Sequence, residues 1–460
     1  TTAQTNALTL EAGNNIAVND AISTGGNIKL GASTASITGA TTTGLVTTTA
    51  NVTAGGSLII TNGGGANTGV HQLGGTLSAG TSLAITGNAT IPAGGLTIDL
   101  GTGNTSTIAS VLGGTGGLTK TGAGTLILDG ANTYTGATTL NAGNLSLGVA
   151  NVLDDASTVV VNAGLFTVSA GGETVAGVRL AGATVSSAQI AGGALTSTST
   201  FDLRSGTVLA PLAGAVGLSK TTTGSVLLQG VNTYTGTTTV GEGTLTLASG
   251  DAIANTAGMV TVSTGATLEV GAAETVSRIE GAGALTLAAT LTTGNALDST
   301  YSGLIAGTGG LVKQGAGVFT LSNASPNTYT GSTTVAGGKL SISADNQLGA
   351  VPGAATASQL VLNGGTLQAT ETFTLAANRG VALQGTATVE VADTKTLTVA
   401  GIVADPVATG SLVKTGLGTL ALGGANTYSG TTTVSAGQLT LTGGDAIANT
   451  AGMVTVSTGA

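Results

Sequence analysis

The sequence predicts an all-β fold, a parallel β-solenoid, and three observations carry that expectation. Apolar residues make up 41% of the chain, aromatic residues 2% and charged residues 7%, so there is material for a core but only for a narrow one without large rings. The 79 Gly, set among abundant Thr, Val, Leu and Ala, supply turns at short intervals between strand-forming stretches. Above all, the chain is built of repeats within repeats, the signature of a stacked architecture.

Composition excludes several classes at once. Disordered chains combine low hydrophobicity with high net charge, and this one has neither; ordinary globular domains carry about 25% charged residues. The formal charge of -9 arises from 11 basic and 20 acidic residues spread thinly, with no basic cluster to neutralise a phosphate backbone, so nucleic acid is excluded as a partner. Without Cys there are no disulfides and no thiolate metal sites. No run of about 18 apolar residues offers a transmembrane segment. The first residues, Thr-Thr-Ala-Gln-Thr-Asn, lack the basic and apolar regions of a signal peptide, and the expectation is that any such peptide has been removed.

The long repeat is marked by Asn-Thr-Tyr-Thr/Ser-Gly, which begins at Asn132, Asn232, Asn327 and Asn426, at spacings of 100, 95 and 99. Its Tyr and Gly are Tyr134 and Gly136, Tyr234 and Gly236, Tyr329 and Gly331, Tyr428 and Gly430. Upstream of each copy runs Leu-x-Lys, with Lys120, Lys220, Lys313 and Lys414. The marked segments are 114–148, 214–248, 307–343 and 408–442, and residues 250–266 recur unchanged at 444–460.

A period near 100 residues also fits a string of immunoglobulin-like domains. The finer pattern decides against them. Leu126 and Leu128 are followed by Leu145 and Leu147, Val226 and Leu228 by Leu245 and Leu247, and Leu420 and Leu422 by Leu439 and Leu441, each 19 residues on. In the third copy Phe319 and Leu321 precede Leu340 and Ile342 by 21, and the two extra residues fall in a turn, at 322–326. Each unit thus reads as one coil of short period-2 strands with glycine or asparagine at the corners. The expectation is one continuous solenoid over 1–460, with roughly 23 coils of about 20 residues in a rod on the order of 110 Å long. Thr237 to Thr239 and Thr431 to Thr433 are expected on the outer face as ladders from coil to coil.

Residues 117–128, Gly-Leu-Thr-Lys-Thr-Gly-Ala-Gly-Thr-Leu-Ile-Leu, with Asn-Thr-Tyr-Thr-Gly at 132–136 and Gly-Asn-Leu-Ser-Leu at 143–147, resemble the passenger-associated transport repeat of bacterial autotransporters, the type V secretion systems. The resemblance implies a right-handed parallel β-helix exported through the outer membrane to the cell surface. It implies adhesion, self-association or biofilm formation and brings no catalytic residue with it. The β-barrel translocator of that family is not among these residues. Solenoid ends need covering, and a longer chain, a processed fragment or neighbouring subunits each meet that need. Expected partners are therefore further copies, laterally or end to end, and a host or cell-surface glycan or protein. The alternative function is a β-helical scaffold with glycan-binding or polysaccharide-degrading activity.

No catalytic, cofactor-binding or metal-ligating residue is predicted, and the chain is not expected to be an enzyme or to need a cofactor. His71 is the only His, so a triad or His-rich metal site has one centre at most, and a turn position is expected for it. The tightest acidic groupings, Asp154 with Asp155 and Glu390 with Asp393, fall short of the six to eight oxygen ligands of a Ca²⁺ site and are expected as solvated corner residues. The glycines at 63–65 lack the Gly-Lys-Ser/Thr of a phosphate loop and read as turns. The four repeated Tyr are expected to pack at a corner rather than form a ligand stripe.

Overall fold

The computed structural model describes residues 70–182, 188–254, 258–407, 409–443, 446–447 and 454–457, and in the first 69 residues the segments 8–11, 15–18, 28–31, 34–38, 47–48, 51–54 and 56–61. The glycines at 63–65, and most of the repeated stretch 444–460, lie outside the described residues. The chain forms two units, Thr1–Tyr234 and Thr235–Ala460. Each is a parallel β-solenoid, and the short 3₁₀ turn Asp345–Leu348 is the one helical segment among the described residues.

In the first unit a coil runs through Leu118–Thr121, Thr125–Leu128 and Thr133–Tyr134, three strands separated by tight turns. The first pairs in parallel with Thr138–Leu140 and the second with Asn144–Leu147, one coil later, while the third pairs with Leu112–Gly114 of the coil before. The second unit repeats the plan through Leu291–Thr293, Ser299–Tyr301 and Ile305–Gly307, the first two pairing with Leu311–Lys313 and Val318–Leu321. Strands of three or four residues suffice because alternate side chains turn inward and meet the same position of the next coil.

The inward columns are aliphatic. Leu126 lies beside Leu145 and Leu128 beside Leu147, the 19-residue step read from the sequence, and Leu145 lies beside Phe166. In the second unit Leu268, Leu285 and Ile305 form a comparable column, and Leu420 lies beside Leu439. Leu126, Leu145, Leu268 and Leu285 are buried, and full burial of each such side chain contributes about 1.5–3 kcal/mol.

Coil length is less regular than the expected 20. Phe201 stands beside Leu218, 17 residues on, and Thr333 beside Leu360, 27 on. The long coil contains the 3₁₀ turn Asp345–Leu348, and Arg379 holds it down. Arg379 is fully buried; its Nε donates to Asp345 at 2.7 Å, and its two terminal nitrogens donate to the carbonyls of Leu348 and Gly349 at 2.8 Å each.

Three expectations are corrected. His71 is not a turn residue: it opens the strand His71–Leu73 and points inward, fully buried, with Nε2 3.2 Å from the Thr86 carbonyl, because the alternation His-Gln-Leu puts Gln72 outside. Thr238 and Thr432 are not on the outer face. Each shares inward parity with the following Val240 or Val434 and is buried, leaving only the flanking Thr outside. Glu390 is not a solvated corner acid. It sits half-buried on the strand Arg379–Val391, 2.7 Å from Lys339 Nζ, and accepts a 2.8 Å bond from Gln368. Asp154 and Asp393 do occupy turns, Asp154 accepting from the Ala156 N–H at 2.9 Å, and Asp155 and Asp393 are exposed.

Candidate functional site

The residues that mark the long repeat come together as a polar layer inside an aliphatic core. Lys120 lies two residues after inward Leu118 on one strand and therefore on the same face. Its ammonium is enclosed, donating to the carbonyls of Thr121 and Gly122 in the adjoining turn and of Ala142 one coil on. Lys313 repeats this with Gln314, Gly315 and Gly337, and Lys414 with Thr415, Gly416 and Ala436. Lys220 donates to the carbonyl of Thr222. All four lysines are buried. Burial lowers Lys120 and Lys414 to about 8, a pull partly opposed by Asp99 and Glu390 respectively, and lowers Lys313 in the same way against Asp298.

Three of these turns depend on glycine. Gly122, Gly315 and Gly416 have φ of 69°, 70° and 73°, which aims their carbonyls at the ammonium. Directly above lie Gly143, Gly338 and Gly437, where an added Cβ would come within 2.4, 2.3 and 2.4 Å of the carbonyl oxygens of Gly122 to Gly124, Gly315 and Gly416 or their neighbours in the turn. Gly143→Ala is expected to cost about 2–5 kcal/mol through left-handed strain and overpacking. Gly94→Ala, where a Cβ meets nothing within 4 Å, is the control. Equal guanidinium midpoints for the two variants would sink this reading.

The Asn of the motif staples successive coils. Asn132, Asn232, Asn327 and Asn426 accept, through Oδ1, the backbone N–H of Leu112, Leu212, Ile305 and Val403 at 2.9, 2.8, 2.9 and 2.7 Å. Asn327 and Asn426 donate forward to the carbonyls of Gln347 and Ala446. The Tyr are fully buried, and Tyr134, Tyr329 and Tyr428 each lie 2.6 Å from the hydroxyl of Thr138, Thr333 or Thr432. This explains the inward Thr. The Gly that ends the motif stacks on the preceding coil: a Cβ on Gly136, Gly331 or Gly430 would lie 2.4, 2.3 or 2.4 Å from backbone atoms of residues 116–117, 309 or 410.

Two carboxylates missed by sequence reasoning complete the layer. Glu173 accepts the N–H groups of Val152 and Leu153, and Glu274 those of Ala252 and Ile253, in each case at the corner loop that follows a repeat. Burial raises both, Glu274 to about 7, against the pull of those N–H groups. Their signal was parity: Glu173 and Glu274 each stand two residues before an inward Val, at Val175 and Val276. Chemically, these groups are engaged with backbone rather than gathered around a cleft. Among the described residues no three His, Cys, Asp or Glu lie together as a metal site.

Comparison with known proteins fits this periodic layer. The family model of the passenger-associated transport repeat matches residues 118–147, 218–247, 311–342 and 412–441, inside the four segments marked by sequence. The chain carries four passenger-associated transport repeats. It is also similar to the adhesin BmaC autotransporter of Brucella suis biovar 1 (strain 1330), at 34% identity over 353 residues. That match covers 70% of this chain and 10% of the relative, so the chain spans about a tenth of the relative's length. No solved structure matches. The lysine cage, the asparagine staple and the tyrosine–threonine pair all fall within the repeat boundaries or at their edges.

Proposed function

We propose that this chain is a structural and adhesive element of a bacterial cell surface, exported through the outer membrane, whose exterior binds other surfaces or further copies of itself. The observation that carries the reading is the set of four passenger-associated transport repeats, supported by the likeness to an adhesin autotransporter. The physical design agrees with it. The polar groups of the repeat are used to tie one coil to the next, and the thinly charged exterior lowers electrostatic repulsion between copies. On this reading the chain is no enzyme, and the repeat markers are structural. No helix among the described residues is long and apolar enough to cross a membrane.

The test is direct. Beads coated with the purified chain are expected to clump together or to attach to epithelial monolayers and glycan-coated surfaces, above beads coated with an unrelated protein of similar charge. Sedimentation velocity over a range of concentrations separates self-association from attachment. Dispersed beads, no attachment and a concentration-independent monomer together would reject the adhesive reading.

A further inference from the structure

One surface feature of the first unit is not used by the repeat layer. On the strand Gly177–Ala181 the outward positions are Gly177 and Arg179, and the neighbouring strand Thr158–Val161 sets Thr158 beside Gly177 and Val160 beside Arg179. On the other side Arg179 stands beside Asp202; continuing that register by two residues brings Gly177 to Thr200. Gly177 therefore interrupts an outward column whose neighbours on either side are Thr. A groove of about 410 Å³ includes this position, with the Arg179 side chain at its wall.

Arg179 differs from the other three arginines of the chain. Arg204 pairs with Asp202 at 2.8 Å, Arg278 with Glu280 at 3.7 Å and Arg379 with Asp345 at 2.7 Å. Asp202, the register partner of Arg179, is turned instead to Arg204, whose Nε donates to it at 2.9 Å. Among the described residues Arg179 has no carboxylate within ion-pair distance, and its Nε–H is buried without a hydrogen-bond acceptor. A buried donor left unmet costs about 1–3 kcal/mol, and a half-exposed guanidinium presents a planar fork suited to a bidentate anion.

We propose that the Gly177 notch beside Arg179 binds a carboxylated saccharide. The carboxylate meets the part of the guanidinium that lines the groove, a cation with no carboxylate of its own among the described residues. The hydroxyls of Thr158, Ser199 and Thr200 ring the groove and match a ligand rich in hydroxyl groups, and the Asp202 carboxylate that also lines it is neutralised by Arg204 at 2.8 Å. A peptide is disfavoured because the strand is already paired on both sides, with Thr158–Val161 and with Phe201–Val208, which leaves no edge for an added strand. The site goes beyond the adhesive reading and does not depend on it, since binding is measured in solution with the chain alone.

The experiment is isothermal titration of the full chain with digalacturonic acid, with its neutral counterpart galactobiose, and with sodium acetate and phosphate. Saturable binding is expected for digalacturonic acid only. Arg179→Gln and Gly177→Thr are each expected to weaken it at least tenfold. The second variant places in the notch the residue found on both flanks; its Cβ meets Thr158 Cγ2 at 3.5 Å and, at 2.9 Å, the Ser199 hydroxyl, which donates to the Ala176 carbonyl, so it tests the site without removing the arginine. Overturning results are the absence of saturable binding, equal binding of the neutral sugar, acetate or phosphate, or unchanged affinity in both variants.

Discussion

Lys120→Ala is expected to destabilise the first unit by about 3–5 kcal/mol, the range for truncating a large buried side chain. Two costs combine. The four-carbon stem vacates a core site between aliphatic columns, and the carbonyls of Thr121, Gly122 and Ala142 lose their donor, each at about 1–3 kcal/mol if left unmet. Against this stands the relief of a desolvated ammonium, worth several kcal/mol, which keeps the net loss near the truncation value. Lys120→Met preserves the volume and removes the charge, so its loss is expected to be smaller. Because each coil leans mainly on its neighbours, hydrogen exchange should show lost protection first in the strands flanking residue 120. A guanidinium midpoint for Lys120→Ala within about 0.5 kcal/mol of the parent, the scatter of ordinary surface substitutions, would mean that the carbonyl cage contributes nothing.

Much of this architecture was legible because a solenoid writes its geometry directly into spacing. The step from Leu126 to Leu145 is both a sequence interval and a register between stacked strands. The polar layer was half legible. Lys120, Asn132, Tyr134 and Gly136 stood out by recurrence, but recurrence does not say which way a side chain points. Parity did: Lys120 follows Leu118 by two, and Thr138 precedes Leu140 by two, so both face inward. What spacing does not encode is the partner of a buried charge when that partner is a loop of variable length. Glu173 finds backbone N–H groups 20 and 21 residues back, whereas Arg379 reaches carbonyls 30 and 31 residues back and a carboxylate 34 back. The coil of 27 residues was hidden for the same reason, since its added length is a folded turn rather than a gap in the strand pattern.

The buried layer is also expected to give an unusual dependence of stability on pH. Glu274 titrates near 7 in the folded chain against 4.5 unfolded, so below pH 4.5 its contribution is fully present. As pH rises through 7 the unfolded chain ionises first, and about 3 kcal/mol is lost; Glu173, raised for the same reason, adds in the same direction. Lys120 and Lys414 act with the opposite slope. Their folded values near 8 lie below the unfolded 10.5, so the cost of a buried ammonium is fully present below pH 8. It lifts as pH climbs toward 10.5, by about 3 kcal/mol for each lysine. Above pH 10 Tyr134, Tyr301, Tyr329 and Tyr428, held in the neutral form by burial, withdraw stability as the unfolded tyrosines ionise. Denaturant midpoints taken from pH 4.5 to 11 at constant ionic strength should therefore pass through a minimum near pH 7 to 8 and a maximum near pH 10. Glu274→Gln is expected to shallow the acid limb, and Lys414→Met the alkaline rise. A steady decline from pH 8 to 10 would show that the ammonium groups do not sit in the dry, carbonyl-lined positions from which the rest of this behaviour follows.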